Sequence, residues 1–293
     1  MMAAANPLQD FSDALASLVK GAAPSVVAVR ARRSRSSGFV WRPGLIVTAD
    51  EALADEGEVA VTLPGGDTLP AELLGRDPST DIALLRVDRP DLAPATLAAP
   101  AVAAGAVALT VGAEEGAPTA ALGTVSRVAG PWRSLRGGEI DARIELGIAM
   151  RRSAEGGLVL DAGGRSLGMA VFGPRQRVLV IPAPTIERVA AILERHGRVA
   201  RGYVGLGLQQ VALEEGGGAG VMVMSVDPDG PGSAAGLHQG DVLVTWSGEM
   251  LRSVPALVRL LGPESVGRTV SVGLRRGGQL TEVSVTIGER PAP

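Results

Sequence analysis

The side chains of this chain that could carry out acid–base or nucleophilic chemistry are few in kind. Its 293 residues contain no cysteine, two histidines (His196 and His238) and a single lysine, Lys20. A serine hydroxyl becomes an effective nucleophile only when a neighbouring base, most often histidine, accepts its proton. Residues 1–195 therefore lack the usual base and a thiolate nucleophile, and a Ser–Lys pair there would require Lys20.

The composition narrows the class of protein further. Without cysteine, the chain has no disulfides and no Cys-ligated zinc or iron–sulfur site. The net charge of −3, from 28 basic and 31 acidic residues, gives no reason to expect nucleic acid or an anionic membrane as a partner. No pattern predicts a cofactor. Aliphatic residues with 40 glycines and 20 prolines predict β structure with many turns.

Neither targeting nor membrane segments are predicted. A secretory signal has a basic start followed by an apolar run, but here the first basic residue is Lys20, and Asp10 and Asp13 interrupt the apolar residues. The uncharged stretch 92–113 is long enough to cross a bilayer, but it is mostly alanine and contains two prolines and two glycines. We expect a loop followed by a buried strand there, and a cytoplasmic protein.

Hydrophobic periodicity divides the chain into three parts. Residues 7–20 have apolar side chains at helical spacing, and twelve short apolar runs between residues 25 and 181 follow, which predict a β-barrel or sandwich. Residues 184–196 return to helical spacing. Five further strands between residues 205 and 287, with a helix at 254–261, predict a small α+β domain.

Five stretches of the sequence resemble the HtrA/Deg family. They are GFVWRPGLIVTADEAL (38–53), GRDPSTDIALLRV (75–87), EGGLVLDAGGRSLGMAV (155–171), IPAPTIERVAAILERHGRVARGYVGLGL (181–208) and VDPDGPGSAAGLHQGDVLVTWSG (226–248). The resemblance implies a mostly β protein: a helical segment at 1–22, a trypsin-like double β-barrel at 23–195 and a PDZ domain at 199–290.

The same resemblance places the family's catalytic triad on three carboxylates. Asp81 matches the family's acid, whereas Glu51 stands at its histidine position and Glu155 at its serine position. Ser153 replaces the first glycine of the oxyanion hole. Loss of the nucleophile and base together costs about 10⁶-fold in kcat. We therefore predict an HtrA-like pseudoprotease that has lost peptide hydrolysis.

Three functions remain open. The first is an adaptor or regulator in protein quality control that binds C-terminal or unfolded peptide segments through its PDZ domain. The second is the serine endopeptidase that the resemblance itself implies. The third is an oligomeric, chaperone-like scaffold, for which family members suggest a homotrimer with Phe11 as a candidate contact or a core residue. The resemblance also implies export to the periplasm as the alternative to the cytoplasm.

The resemblance also predicts a peptide-binding groove in the PDZ domain. In such domains an extended peptide adds a strand to a sheet edge, and backbone N–H groups of a loop hold its terminal carboxylate. The segment 201–208 resembles that loop and strand, and helix 254–261 would form the other wall. The candidate residues are Tyr203, Val204, Gly205, Leu206, Leu208, Val254, Leu257, Val258 and Leu261. The aliphatic side chains among them favour a peptide whose C-terminal residue is apolar, although some of these side chains must pack the core of the domain.

Three converging carboxylates would repel unless one is protonated, neutralised by Arg151 or Arg152, or bound to a hard cation. We predict no metal site and regard a cation or a new acid–base activity as the alternatives. The two histidines lack ligand neighbours at metal spacing, and we expect His196 in the last turn of its helix, where a cation suits the helix dipole.

Overall fold

The protein is described by a computed structural model that covers residues 6–32, 34–53, 57–99, 101–213 and 218–291. The chain divides into two compact units. Unit 1 contains residues 1–132 and 139–198, and unit 2 contains residues 133–138 and 199–293.

The first half of unit 1 is a closed six-stranded antiparallel barrel with the strand order β1-β2-β3-β6-β5-β4. Alternating aliphatic residues, such as Val27 and Val29, point into its core. The strands are β1 (Val26–Ala31), β2 (Ser34–Arg42), β3 (Leu45–Thr48), β4 (Val59–Thr62), β5 (Thr68–Asp77) and β6 (Ile82–Arg86).

A second closed barrel follows, with the strand order β11-β14-β13-β12-β7-β8. Its separate core includes Val159 and Ala170, both fully buried. The strands are β7 (Val107–Glu114), β8 (Ala117–Ala129), the short pair β9 (Trp132–Arg133) and β10 (Glu139–Ile140), then β11 (Arg143–Gly147), β12 (Leu158–Asp161), β13 (Ser166–Phe172) and β14 (Val178–Pro182).

Two helices flank the barrels. Helix α1 (Pro7–Ala22) begins at the N-cap Asn6, whose side chain accepts a hydrogen bond from the N–H of Gln9, and it buries none of its residues. Helix α2 (Ala183–His196) packs on β5, β6 and β13 through a buried face that includes Ile186 and Leu193. His196 lies in its last turn, as predicted.

Unit 2 is a small α+β domain whose sheet has the order β16-β17-β18-β20-β21, with β19 on β18, and whose short strands β15 and β22 form a separate pair. Its elements are β15 (Gly202–Tyr203), β16 (Leu206–Ala212), β17 (Ala219–Val226), α3 (Pro231–Ala234), β18 (Val242–Trp246), β19 (Glu249–Met250), α4 (Val254–Leu260), β20 (Thr269–Arg276), β21 (Gln279–Thr286) and β22 (Gly288–Glu289).

The predicted fold class is confirmed: a mostly β protein with a double barrel followed by a small α+β unit. The stretch at 92–113 contains all of β7 except its last residue, and its described part has no helix. Among the described residues, no helix is long and apolar enough to cross a membrane.

Candidate functional site

The two barrels together position the three predicted carboxylates. Glu51 follows the end of β3, and Asp81 directly precedes β6, the neighbour of β3 in the first barrel. Glu155 lies between a short 3₁₀ turn at residues 152–154 and strand β12 of the second barrel. The backbone N–H of Ser37 on β2 donates to the carbonyl of Glu155 at 2.7 Å, which ties the two barrels together at this point.

Asp81 is the most perturbed acid of this cluster. Its backbone has a φ of +58°, a left-handed conformation that Asp tolerates better than most residues. Burial raises the pKa of Asp81 to about 8, and the charges of Glu51, Glu155 and Asp50 add to this rise. The backbone N–H of Glu51 donates to Asp81 Oδ1 at 2.7 Å and works in the opposite direction. At neutral pH Asp81 is therefore mostly protonated.

The neighbouring acid Asp50 is buried and paired instead. Arg76 Nε donates to Asp50 Oδ1 at 2.5 Å, and an Arg76 terminal nitrogen donates to the Asp50 carbonyl at 3.3 Å. Asp50 itself donates its backbone N–H to the carbonyl of Asp81 at 3.4 Å. This ion pair fixes the turn that holds Glu51 beside Asp81.

The Glu155 side chain is buried and held by the end of β13. Its Oε1 accepts the backbone N–H of Phe172 at 3.2 Å. Burial raises the pKa of Glu155, the Phe172 N–H and the Arg152 guanidinium lower it, and the charge of Glu51 raises it again. Arg152 lies over the Phe172 ring, 5.5 Å from its centroid. The carboxylate therefore has a defined structural partner.

The backbone N–H groups of the turn before β12 are also engaged. The N–H of Glu155 donates to the Arg152 carbonyl at 3.1 Å, and that of Ala154 donates to the Arg151 carbonyl at 3.0 Å. An oxyanion hole requires such N–H groups to point at the developing charge of a substrate. In this conformation the turn uses the Glu155 N–H internally.

Gly156 lets this turn pack against the first barrel. Its φ is +86°, and a Cβ at this position would collide with the carbonyl oxygen of Ser37. The Thr48 hydroxyl donates to that same carbonyl at 2.7 Å. The approach of the second barrel to β2 and β3 therefore requires glycine here.

The geometry of the site does not support the alternative that the three carboxylates bind a metal ion. Within the described ranges, no group of three or more His, Asp or Glu side chains is arranged to hold a metal ion. Arg151 is exposed, and Arg152 is close enough to lower the pKa of Glu155. The raised pKa of Asp81 and the nearby charge of Arg152 both reduce the repulsion expected among the three carboxylates.

The predicted carboxylate-binding loop of unit 2 joins β15 to β16. The Val204 carbonyl accepts the Gly232 N–H and the Gly205 carbonyl accepts the Asp227 N–H, both at 2.8 Å. In the part of the chain that the structure describes, the N–H groups of Val204 and Gly205 donate to no other group. Gly205 has a φ of +70°. The loop therefore holds its carbonyls fixed while two amides stay available for an anion.

The predicted groove walls are β16 and α4. Among the residues that the structure describes, strand β16 pairs only with β17 and its other edge is open, and α4 lies beside it. Five aliphatic side chains are half-buried along these two elements or, for Leu261, directly after α4: Leu206, Leu208, Val254, Val258 and Leu261.

Two of the predicted groove side chains belong instead to the core of unit 2. Leu257 is fully buried, because it lies on the inward face of α4, and the Val204 side chain is buried as well. Leu257 therefore leaves the predicted groove, whereas Val204 keeps its backbone N–H there.

Sequence reasoning missed several partners at these sites. Phe172 had no signal, since only folding brings β13 to Glu155. The Tyr203 hydroxyl donates to Asp227 Oδ2 at 2.7 Å and pins the binding loop to the turn after β17. This hydrogen bond raises the pKa of Tyr203.

His238 is exposed, and its backbone N–H donates to the buried Asp241.

The comparisons with known proteins agree with this architecture. The trypsin-like peptidase domain family matches residues 36–169, and the PDZ domain family matches residues 202–287. A solved structure of the serine endoprotease from Yersinia pestis is 27% identical, with a TM-score of 0.72 over 94% of this chain and 98% of that one. Another, of the HtrA-type protease AlgW with decapeptide, is 24% identical, has a TM-score of 0.73 and covers 95% and 99% of the two chains. At that identity the second likeness concerns the fold alone.

Two curated relatives are named probable periplasmic serine endoprotease DegP-like. The protein of Halomonas elongata is 30% identical over 89% of this chain and 57% of its own length. That of Bartonella henselae is 30% identical over 87% of this chain and 53% of its own length. The chain thus spans about half the length of the curated relatives it matches.

Fold and domain matches together define a trypsin-like double β-barrel joined to a PDZ domain. The chain belongs to the HtrA/Deg family.

Proposed function

We propose that this chain is a non-hydrolysing member of the HtrA/Deg family that binds peptide segments of other proteins through its PDZ unit, as an adaptor or regulator in protein quality control. One observation carries the proposal: the residue expected at the nucleophile position, Glu155, is a buried carboxylate bound to the Phe172 N–H. A carboxylate there has no hydroxyl for a base to activate.

The sequence supports the same conclusion at the base position. Glu51 stands where the family has histidine, and no histidine occurs before His196. The internal hydrogen bond of the Glu155 N–H removes one oxyanion donor as well. Nucleophile, base and oxyanion hole are therefore all altered, and each loss alone lowers the rate of acyl transfer by at least about 10²-fold.

Hydrolysis and active-site labelling test this proposal. The purified chain is incubated with casein and, separately, with a fluorophosphonate probe that labels activated serines. We expect neither cleavage nor labelling. The double variant Glu51→His with Glu155→Ser restores the family's residues around Asp81 and serves as the comparison. Labelling of a serine in the unaltered chain would refute the proposal.

Peptide binding is the positive half of the proposal. The two available amides of Val204 and Gly205 suit a terminal carboxylate, and the open edge of β16 suits an added strand. The half-buried aliphatic side chains beside them favour an apolar last residue. AlgW, which shares this fold, is described with a decapeptide.

A C-terminal peptide library tests the groove. We expect enrichment of peptides with apolar ends, lost when their C-termini are amidated. Val258→Asp places a charge in the predicted groove and is expected to abolish enrichment. Leu260→Asp, on the same helix but 42% exposed, is the matched control. Equal enrichment by both variants, or none with the unaltered chain, would exclude this groove as the binding site.

The names of the curated relatives favour a second candidate, serine endopeptidase activity. This candidate requires a base other than histidine within unit 1 and a nucleophile other than Glu155. It predicts cleavage of casein by the unaltered chain, which the hydrolysis experiment decides directly.

The same names favour the periplasm over the predicted cytoplasm. We therefore propose an exported protein, tested by fractionation of the host cell. A homotrimer remains a further proposal: α1 buries no residue, and its Phe11 side chain is 45% exposed. Sedimentation of the full chain would show a trimer that Phe11→Ser weakens, and a strict monomer would contradict this part.

A further inference from the structure

Three arginines converge on one carboxylate at the surface of the second barrel. Glu145 of β11 lies opposite Arg127 of β8 in the strand register. Arg143 precedes it by two residues on β11, and Arg177 directly precedes β14, the neighbour of β11 on the other side. Nitrogen atoms of Arg143, Arg127 and Arg177 lie 2.7, 3.5 and 3.6 Å from Glu145 carboxylate oxygens. We call these four residues the arginine cluster.

The arginine cluster carries an excess of positive charge. Three guanidinium groups against one carboxylate give a local charge of +2, in a chain whose net charge is −3. Across the described ranges, Glu145 is the only acid within ion-pair distance of these three arginines. Each guanidinium has five N–H donors, so one carboxylate leaves most of them unused. The three arginines can therefore bind a second anion while they keep their contacts with the Glu145 carboxylate.

The three arginines differ in how firmly they are held. Arg143 makes the short bond to Glu145 and lies over the Trp132 ring, 5.1 Å from its centroid. The Trp132 Nε1–H is itself fixed on the Ala142 carbonyl at 3.3 Å. Arg127 and Arg177 make longer contacts, and their side chains are 58% and 50% exposed. The side chains of Arg127 and Arg177 are therefore exposed to solvent, and they flank Glu145.

We propose that Arg127 and Arg177 form a binding site for a short acidic peptide segment of a protein partner, with Glu145 and Arg143 as the residues that position them. Guanidinium groups bind carboxylates through charge-assisted, often bidentate hydrogen bonds. A local charge of +2 matches one or two carboxylates of a peptide. The acidic character of the whole chain disfavours the extended phosphate backbone of a nucleic acid. This site is separate from the groove of unit 2 and does not depend on it.

Titration with an oligoglutamate peptide that is blocked at both ends tests the site. Binding to the full chain at low salt is measured by calorimetry or by amide chemical shifts of β8, β11 and β14, with oligoglutamine as the uncharged comparison. Blocked ends keep the peptide from using a carboxylate-binding loop. We expect that Arg127→Gln with Arg177→Gln weakens binding about tenfold or more. Salt should weaken binding to the unaltered chain.

Two controls separate a specific site from general charge. Arg35→Gln with Arg86→Gln removes the same charge from two exposed ion pairs elsewhere on unit 1 and should leave binding unchanged. Glu145→Gln keeps an oxygen that can accept the Arg143 hydrogen bond but raises the local charge to +3, so it should tighten binding, whereas a purely structural role for the cluster predicts no gain. Equal weakening by both double variants, equal binding of oligoglutamine, or unchanged affinity in Arg127→Gln with Arg177→Gln would overturn the proposal.

Discussion

At the scale of single residues, the protonation of Asp81 affects how strongly the carboxylates of the candidate site repel one another. Its folded-state pKa of about 8 lies well above the ordinary value of 3.8. The folded chain thus keeps a proton at Asp81 that the unfolded chain releases. The contribution of this group to stability is therefore greatest below about pH 4 and falls as the pH rises to about 8.

Asp81→Asn should consequently stabilise the protein at alkaline pH. Asparagine tolerates the left-handed backbone at this position and keeps an oxygen for the Glu51 N–H. At pH 8.5 we expect a gain in the free energy of unfolding on the order of 2 kcal/mol or more, and much less at pH 5. Chemical denaturation at both pH values measures the difference.

Asp161→Asn is the matched control, for which we expect the opposite change in the free energy of unfolding. Asp161 accepts bonds from the backbone N–H groups of Gly163 and Arg165 and from the Arg165 side chain, and despite its partial burial these partners lower its pKa. Its contribution to stability is present at neutral pH and lost on acidification. The variant should thus be less stable at neutral pH. A gain at pH 8.5 in both variants would contradict our account of Asp81.

At the scale of elements, the turn before β12 shows how tightly the two barrels meet. Gly156 combines a positive φ with contact to the Ser37 carbonyl. We expect Gly156→Ala to lower the free energy of unfolding by about 3 kcal/mol or more, because the added methyl group meets rigid backbone of the first barrel. Thermal unfolding of the full chain measures this.

Gly65→Ala provides the comparison for that prediction. Gly65 also has a positive φ, of +98°, but a Cβ there would have no atom within 4 Å. Its substitution tests the backbone cost alone, about 1 kcal/mol. Equal losses in the two variants would mean that the contact with Ser37 is not what requires glycine.

The strands and long helices could be predicted because their signals are local. A short apolar run bounded by turn residues predicts β3 at Leu45–Thr48 to the residue, and Pro184 with Gly197 brackets α2. The two-residue strands β15 and β22 escape prediction, because their pairing depends on chain segments far apart in the sequence.

Side-chain neighbours were harder to predict than elements. The family resemblance brings Glu51, Asp81 and Glu155 to one site, but their partners follow from strand register. A bulge between Glu145 and Leu146 shifts the pairing of β11 with β8. The convergence of Arg127 and Arg177 on Glu145 depends on this register and has no signal in the sequence.

At the scale of the whole molecule, each barrel and unit 2 has its own hydrophobic core. The core of unit 2 contains Trp246, Leu257 and Val285, all nearly or fully buried. We expect a fragment of residues 199–291 to fold by itself with a cooperative unfolding transition. Circular dichroism during urea denaturation of the fragment checks this.

Leu257→Ala in that fragment should lower the free energy of unfolding by about 2–5 kcal/mol, because it leaves a cavity in the core. Leu260→Ala, which truncates an exposed side chain of the same helix, should change it little. A non-cooperative unfolding curve for the parent fragment would show that residues 199–291 need other parts of the chain to fold, residues 133–138 of unit 2 included.

Closure of both barrels has a consequence for how copies of this protein meet when they are crowded. A closed sheet exposes no row of unpaired backbone groups, so the barrel strands cannot template the addition of another chain. The sheet of unit 2 is open and ends at β16 on one side and β21 on the other. Edge-to-edge aggregation of the folded protein would therefore start in unit 2. A peptide bound along β16 would pair the free backbone groups of that edge and so oppose aggregation there.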